Sequence, residues 1–211
     1  MKPVFISLTN SADRHINLRR AFEHAEIDFS RFETLIQANN GKPVLVLLQL
    51  GKLGFSVSHC NETEMIALLD EDREIGIDLE AWLQREADPA FLQTVASSED
   101  RKAVAMLGSN GNDAGIALWV LKEAALKCTG EVMTDPLHLA VVHVSGNLFK
   151  VKSSARAMAP HPEIDVCLHV LIDETNASSM LLVGLAMPLG ALINRPIYFA
   201  AEGWKVTEFR R

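Results

Sequence analysis

The stretch from Ala114 to Cys128 restricts the fold most, because it reads as one strong helix closed by Gly130 just past its end. Everything after it reads as strand: Leu139 to Val144 with Leu148 to Lys152, then Asp165 to Asp173 with Met180 to Met187 around the polar turn Glu174-Thr175-Asn176. Ahead of it, Lys2 to Leu8 reads as a short strand. Asp13 to Ala25 reads as a helix, with Leu18, Ala21, Phe22 and Ala25 at helical spacing and Ser11 or Asp13 as its cap. Asn39 to Pro43 is a turn signal, and the apolar run Val44 to Leu50 leaves a buried strand and a dimer contact both open. Phe55 to Ser58 and Glu64 to Leu69 pair around Cys60-Asn61-Glu62, and the turn Glu71-Asp72-Arg73 extends them into Ile75 to Leu79 as an antiparallel meander. Pro89 to Val95 and Glu99 to Leu107 are further helices, the second capped by Ser97 or Ser98, and Ser109 to Asp113 is a loop. Helices beside short antiparallel strands make an α+β fold, each half holding a helix and a small sheet. With no linker and no repeat of fixed period, the halves are expected to pack as one unit.

Composition removes several classes of function. The 211 residues are 48% hydrophobic and 22% charged, which suits a packed core and not a disordered chain. Twenty Lys and Arg against 27 Asp and Glu leave a net charge of -7, which argues against a broad basic face for coating DNA or RNA. Met1-Lys2-Pro3-Val4 opens no signal-peptide pattern. The longest uncharged apolar stretch, Met180 to Ile193, is broken by Gly184, Pro188 and Gly190 and is too short for a membrane span. Cys60, Cys128 and Cys167 form no CxxC pair, so reduced thiols in a cytoplasmic protein are expected, with no zinc site or disulfide framework.

Three segments carry chemistry-bearing residues. In Ile75-Gly76-Ile77-Asp78-Leu79-Glu80, strand alternation puts Asp78 and Glu80 on one face about 7 Å apart, with Ile77 and Leu79 toward the core. Two such carboxylates suit a hard divalent cation, but this segment by itself favours a solvated acidic strand, since Asp70, Glu71, Asp72 and Glu74 precede them. In Trp119 to Lys127, Glu123 and Lys127 stack one helical turn apart on the side that carries Trp119. That is either a surface ion pair beside a core tryptophan, or a third carboxylate with a lysine facing an anion. In Phe55-Ser56-Val57-Ser58-His59-Cys60, the Ser-His pair is either structural or a phosphate contact.

Taken in order, Gly41-Lys42-Pro43, Phe55 to His59, Gly76 to Glu80 and Trp119-x-x-Lys122-Glu123-x-x-x-Lys127 resemble the 4′-phosphopantetheinyl transferases, in their monomeric two-half form. The likeness, to bacterial holo-acyl-carrier-protein synthases and surfactin-synthetase activators, covers residues 41 to 130. It implies two pseudo-repeated halves, 1–77 with the coenzyme A phosphate contacts and 78–211 with the metal site and catalytic helix. Asp78, Glu80 and Glu123 would hold Mg²⁺, with Glu123 also the base for a carrier-protein serine and Lys127 the group stabilising the departing pyrophosphate side. Lys42, Ser58, His59 and Lys122 would bind the cofactor, with His59 at its 3′-phosphate, and Arg14 and Arg20 would help to hold it. The implied reaction is Mg²⁺-dependent transfer of phosphopantetheine from coenzyme A to an apo acyl or peptidyl carrier protein, in the cytoplasm, by a monomer.

The sequence also departs from the family pattern. Ser58-His59-Cys60-Asn61 stands where the family reads Ser-His-Ser-Gly, and the segment before Gly41 is short. These departures keep open a catalytically idle relative that binds coenzyme A or a carrier protein. A Mg²⁺-dependent nucleotide hydrolase also fits the carboxylates but not the ordered motifs. Because carrier proteins are acidic where they are recognised, Arg85, Arg101 and Lys102 are the expected docking patch on this acidic chain.

Overall fold

The computed structural model describes residues 2–9, 14–28, 32–37, 43–47, 53–82, 89–107, 111–131, 135–153 and 162–209. The Asn39 to Lys42 part of the expected turn and the Ser109-Asn110 part of the expected loop lie outside these residues. The fold is α+β, and its two main sheets stack between helices. The first sheet has strand order β11-β1-β5-β4, formed by β1 (Val4–Thr9), β4 (Gly54–Cys60), β5 (Thr63–Leu69) and β11 (Ile197–Ala200). Helix α1 (Arg14–His24) covers one face of it through Leu18, Ala21 and Phe22, which meet Phe55, Ile66 and Leu68. The other face is also apolar, with Val4, Ile6, Leu8, Met65, Ala67 and Leu69 packing against the second sheet.

The second sheet runs β6-β10-β9-β8-β7, from β6 (Gly76–Ala81), β7 (Leu139–Ser145), β8 (Leu148–Ser153), β9 (Glu163–Asp173) and β10 (Met180–Pro188), with β12 (Trp204–Glu208) beside the far end of β9. Its inner face supplies Ile77, Leu79, Leu181, Val183 and Leu185 to the layer between the sheets. Its outer face is buried under α2 (Pro89–Val95), α3 (Arg101–Leu107) and the long α4 (Gly111–Thr129). A smaller hairpin pairs β2 (Phe32–Gln37) with β3 (Pro43–Leu47), so part of the apolar run Val44 to Leu50 is strand.

The expected meander is incorrect at its third strand. Strand β5 already has β1 on one side and β4 on the other, so no edge remains for β6. Instead β6 pairs with β10, with Asp78 opposite Gly184 and Glu80 opposite Leu182. On its other side, β6 meets side chains of β4: the Ile77 N–H donates to Ser56 Oγ at 3.0 Å, and the Leu79 N–H to Ser58 Oγ at 3.2 Å. Alternate serines on one strand thus satisfy alternate N–H groups on the other, and the backbone donors at the seam are not left bare. At the opposite edge of the first sheet, β11 pairs in parallel with β1, so a strand from near the C-terminus completes the N-terminal sheet. Arg195 reinforces that closure, donating to the carbonyl oxygens of Lys2 and Ala191 and to both carboxylate oxygens of Glu71.

Two glycines set how closely α4 approaches. A Cβ on Gly76 would overlap the Ala124 carbonyl oxygen and the Cys128 backbone, and one on Gly184 would meet the Val120 carbonyl oxygen at 3.0 Å. The helix backbone therefore rests directly on β6 and β10. As expected, α4 closes at Gly130, which has φ 78°, but it starts at Gly111, earlier than the sequence indicated. The helix expected from Glu99 to Leu107 is a single 3₁₀ turn, Ser98–Asp100, leading into α3. Its start is closed by Asp100, whose Oδ2 accepts the Ser97 N–H at 2.6 Å, and not by a serine hydroxyl.

One buried group gives the fold a pH signature. His169 on β9 is 7% exposed, lies edge-on to Phe199, and has no hydrogen-bond partner for Nε2 among the described residues. Burial lowers its pKa from 6.5 to about 4, against a small opposing pull from Glu208. The unfolded chain therefore binds a proton that the folded chain refuses. Stability is retained above about pH 6.5 and falls by up to about 3 kcal/mol as the pH drops toward 4. Urea unfolding across this window should show the loss, and His169→Phe should flatten that part of the profile.

Candidate active site

The seam between the sheets gathers the charged residues. Gly76, Asp78 and Glu80 occupy one face of β6, and α4 runs back along that face, with Cys128 over Gly76, Lys127 on Asp78 and Trp119 beside Glu80. Asp78 is 4% exposed. Its Oδ1 accepts the Lys127 ammonium at 2.6 Å and the Ser58 hydroxyl at 3.1 Å. Its Oδ2 is buried and has no partner among the described residues. Leaving a carboxylate oxygen bare in the interior is costly, so this atom marks where a further cation or donor fits.

Glu80 and Glu123 flank this pair and are half-buried. Burial raises the pKa of Glu80 most, and the Asp78 charge adds to it, while Lys127 and a side-chain hydrogen bond from Trp119 oppose the rise. Glu123 is likewise raised, first by burial and then by Asp78 and Glu80, with Lys127 opposing. Three carboxylates therefore repel one another around one ammonium, and the site carries excess negative charge. Among the described residues, no three His, Cys, Asp or Glu side chains converge closely enough to hold a metal ion as they stand. The donor chemistry nevertheless suits a hard divalent cation: all oxygen, net negative, with a buried oxygen at Asp78 still to be satisfied.

The other expected site residues are more dispersed. Ser58 is 3% exposed and, besides its bond to Asp78, accepts the Leu79 N–H and the Lys127 ammonium, the latter at 2.9 Å. One donated and two accepted bonds fill a hydroxyl's capacity, so its expected contact with a cofactor phosphate is replaced by an inward role. His59, next on β4, is exposed, and strand alternation sends it toward the α1 face of the sheet, opposite Ser58. Arg20 is exposed on α1, the side chain of Arg14 lies outside the described residues, and so do Lys42 and Arg85. Arg101 and Lys102 are exposed at the start of α3.

Lys122 is a correction. It is fully buried, and its ammonium donates to the Val95 carbonyl at 2.7 Å, the Asp100 carboxylate at 2.8 Å and the Pro136 carbonyl at 2.9 Å. All three N–H bonds are used in the interior, leaving none for a cofactor phosphate. Burial pushes its pKa down against the pull of Asp100. Asp100 in turn accepts the Val141 N–H at the start of β7, so the pair joins α2, α4 and the second sheet. Sequence reasoning missed Asp100 because the acidic pair Glu99-Asp100 after two serines looks like an ordinary helix start.

Cys60 extends the serine pattern of β4, taking a backbone hydrogen bond from Ala81. Burial, Glu80 and Asp78 raise its thiol pKa. Asn61, where the family pattern has glycine, adopts φ 53°. Asparagine is among the few residues that enter this left-handed region at modest cost, so the altered turn keeps a glycine-like backbone.

A family model described as the 4′-phosphopantetheinyl transferase superfamily matches residues 74–166, a segment that includes Asp78, Glu80, Glu123 and Lys127. This segment is a domain of that superfamily. No curated protein matches the chain. Among the described residues of the chain, no helix is long and apolar enough to cross a membrane.

The raised carboxylates imply a trade between stability and function. With its folded-state pKa raised, Glu123 favours folding only while protonated, and that contribution is lost as the pH rises through the raised value. At neutral pH in the absence of divalent metal, Glu123→Gln should stabilise the protein by about 1 kcal/mol. In thermal melts, this gain should vanish on acidification to below the ordinary carboxylate range.

Proposed function

We propose that this transferase moves the 4′-phosphopantetheine arm of coenzyme A to a serine hydroxyl of an apo acyl or peptidyl carrier protein, releasing 3′,5′-ADP, with Mg²⁺ as its metal. The observation that carries this reading is Asp78. Its Oδ1 is clamped by Lys127 and Ser58, its buried Oδ2 is unsatisfied, and Glu80 and Glu123 stand alongside within the matched segment. The serine oxygen forms a new bond to the β-phosphorus of coenzyme A. The bond from that phosphorus to the bridging oxygen breaks, and the bridging oxygen leaves on 3′,5′-ADP.

The transition state spreads charge over phosphoryl oxygens, so catalysis comes mainly from positioning and from neutralising those oxygens. Asp78, Glu80 and Glu123 would hold the metal. When bound, Mg²⁺ neutralises pyrophosphate oxygens and offsets the repulsion among the carboxylates. Glu123, whose pKa is raised, accepts the serine proton, a role with a typical value of about 10²–10⁴-fold. Lys127 is 30% exposed and presents the remainder of its charge to the departing pyrophosphate side. His59, Lys42, Arg14 and Arg20 bind the cofactor's phosphates, and Arg101 and Lys102, with Arg85, dock the acidic carrier protein. The halves 1–77 and 78–211, a monomeric state and a cytoplasmic location complete the proposal.

The test is intact-protein mass spectrometry of a panel of apo carrier proteins incubated with the transferase, coenzyme A and Mg²⁺. A phosphopantetheine mass gain on the carrier serine is expected. Asp78→Ala or Glu123→Ala should reduce its rate by about 100-fold or more while circular dichroism stays unchanged. No gain on any carrier would sink the proposal.

A further inference from the structure

We propose that Ser58 is a positioning residue for the transfer, holding the Lys127 ammonium and Asp78 Oδ1 in register across the seam between the two sheets. The proposal rests on the reaction proposed above. A serine hydroxyl has one proton to donate and two lone pairs with which to accept. Ser58 donates to Asp78 Oδ1 at 3.1 Å and accepts the Leu79 N–H at 3.2 Å and the Lys127 ammonium at 2.9 Å. The bond from Leu79 anchors the hydroxyl to the backbone of the strand that carries Asp78. The remaining bonds join a β6 carboxylate to an α4 ammonium through an atom that belongs to β4.

Lys127 needs such an anchor. Its side chain is 30% exposed on a flexible four-carbon stem, whereas that of Asp78 is 5% exposed. A lysine ammonium gripping one carboxylate oxygen still swings about it, and a second fixed acceptor 2.9 Å away removes that freedom. Preorganised charge is what a phosphoryl-transfer site requires. Ser58 therefore acts on turnover, through Lys127 and Asp78, and not on coenzyme A capture.

Ser56 is an internal control. Two residues earlier on the same face of β4, it accepts the Ile77 N–H at 3.0 Å and is 3% exposed. Among the described residues it is bonded to neither Asp78 nor Lys127. Removing either hydroxyl strips one N–H bond from the seam, but only Ser58→Ala also frees the ammonium.

The experiment compares Ser58→Ala with Ser56→Ala in steady-state transfer. Losing a charge-assisted hydrogen bond is expected to lower kcat about tenfold or more in Ser58→Ala, with KM for coenzyme A within about twofold. In Ser56→Ala, both constants should stay within about twofold while the melting temperature falls comparably. A raised KM with unchanged kcat in Ser58→Ala would make it a cofactor contact and overturn the proposal. Equal kcat losses in both variants would make its role structural and overturn it too. If Ser58→Ala does not fold, Ser58→Cys keeps the volume with a weaker hydrogen-bonding group and serves the same comparison.

A second readout does not depend on activity. Trinitrobenzenesulfonate labelling of Lys127, followed by peptide mass, should be several-fold faster in Ser58→Ala than in wild type or Ser56→Ala. Unchanged labelling overturns the proposal. Should wild type transfer nothing to any carrier protein, the proposed reaction falls, and labelling still decides whether Ser58 holds Lys127.

Discussion

The contact between Lys127 and Asp78 is the interaction on which the site depends. It joins the last turn of α4 to β6, the strand that leads the second sheet and lies against the first. It forms only because Gly76 and Gly184 let the helix backbone rest on the strands, bringing a lysine near the end of the helix down onto a buried carboxylate. Glu123, one turn earlier on the same helix, is carried to the same place. Without that close approach the carboxylates and the ammonium would be separate surface charges, each worth little.

Two lysines five positions apart on α4 show how context divides one residue type. Lys122 faces inward, is wholly buried, and pairs with an equally buried Asp100 while donating to two backbone carbonyls. Breaking such a pair leaves an uncompensated interior charge, a change that typically costs about 3–5 kcal/mol. Lys127 also pairs with a buried aspartate, but it retains contact with solvent and shares its carboxylate with an unsatisfied oxygen. The first arrangement is complete and structural. The second has charge and hydrogen-bonding capacity left over, as an active site requires.

Much of this could be read from the chain. Alternation placed Asp78 and Glu80 together with Ile77 and Leu79 inward, and helical spacing placed Glu123, Lys127 and Trp119 on one side. The structure has the same arrangement, and Trp119 also hydrogen-bonds Glu80. What failed was whatever depended on long-range pairing. The run from β5 to β6 looked like a meander because the intervening turn is short, yet β5 was already flanked on both sides. Strand β11 could not be placed, because its partner β1 lies almost the whole chain away. The phosphate contact implied for Lys122 came from the family resemblance alone, and a matching motif does not separate a lysine facing phosphate from one facing a buried acid. The inward turn of Ser58 was equally hidden, since a Ser-His pair at a strand end has the same spelling in either orientation.

The central claim is that the acidic cluster at the seam exists to receive a divalent cation together with coenzyme A. Isothermal titration of coenzyme A into wild type and Asp78→Asn, with and without Mg²⁺, tests it most directly. The account predicts that Mg²⁺ strengthens coenzyme A binding to wild type and that Asp78→Asn abolishes this dependence. Binding to wild type that is indifferent to Mg²⁺ would contradict it.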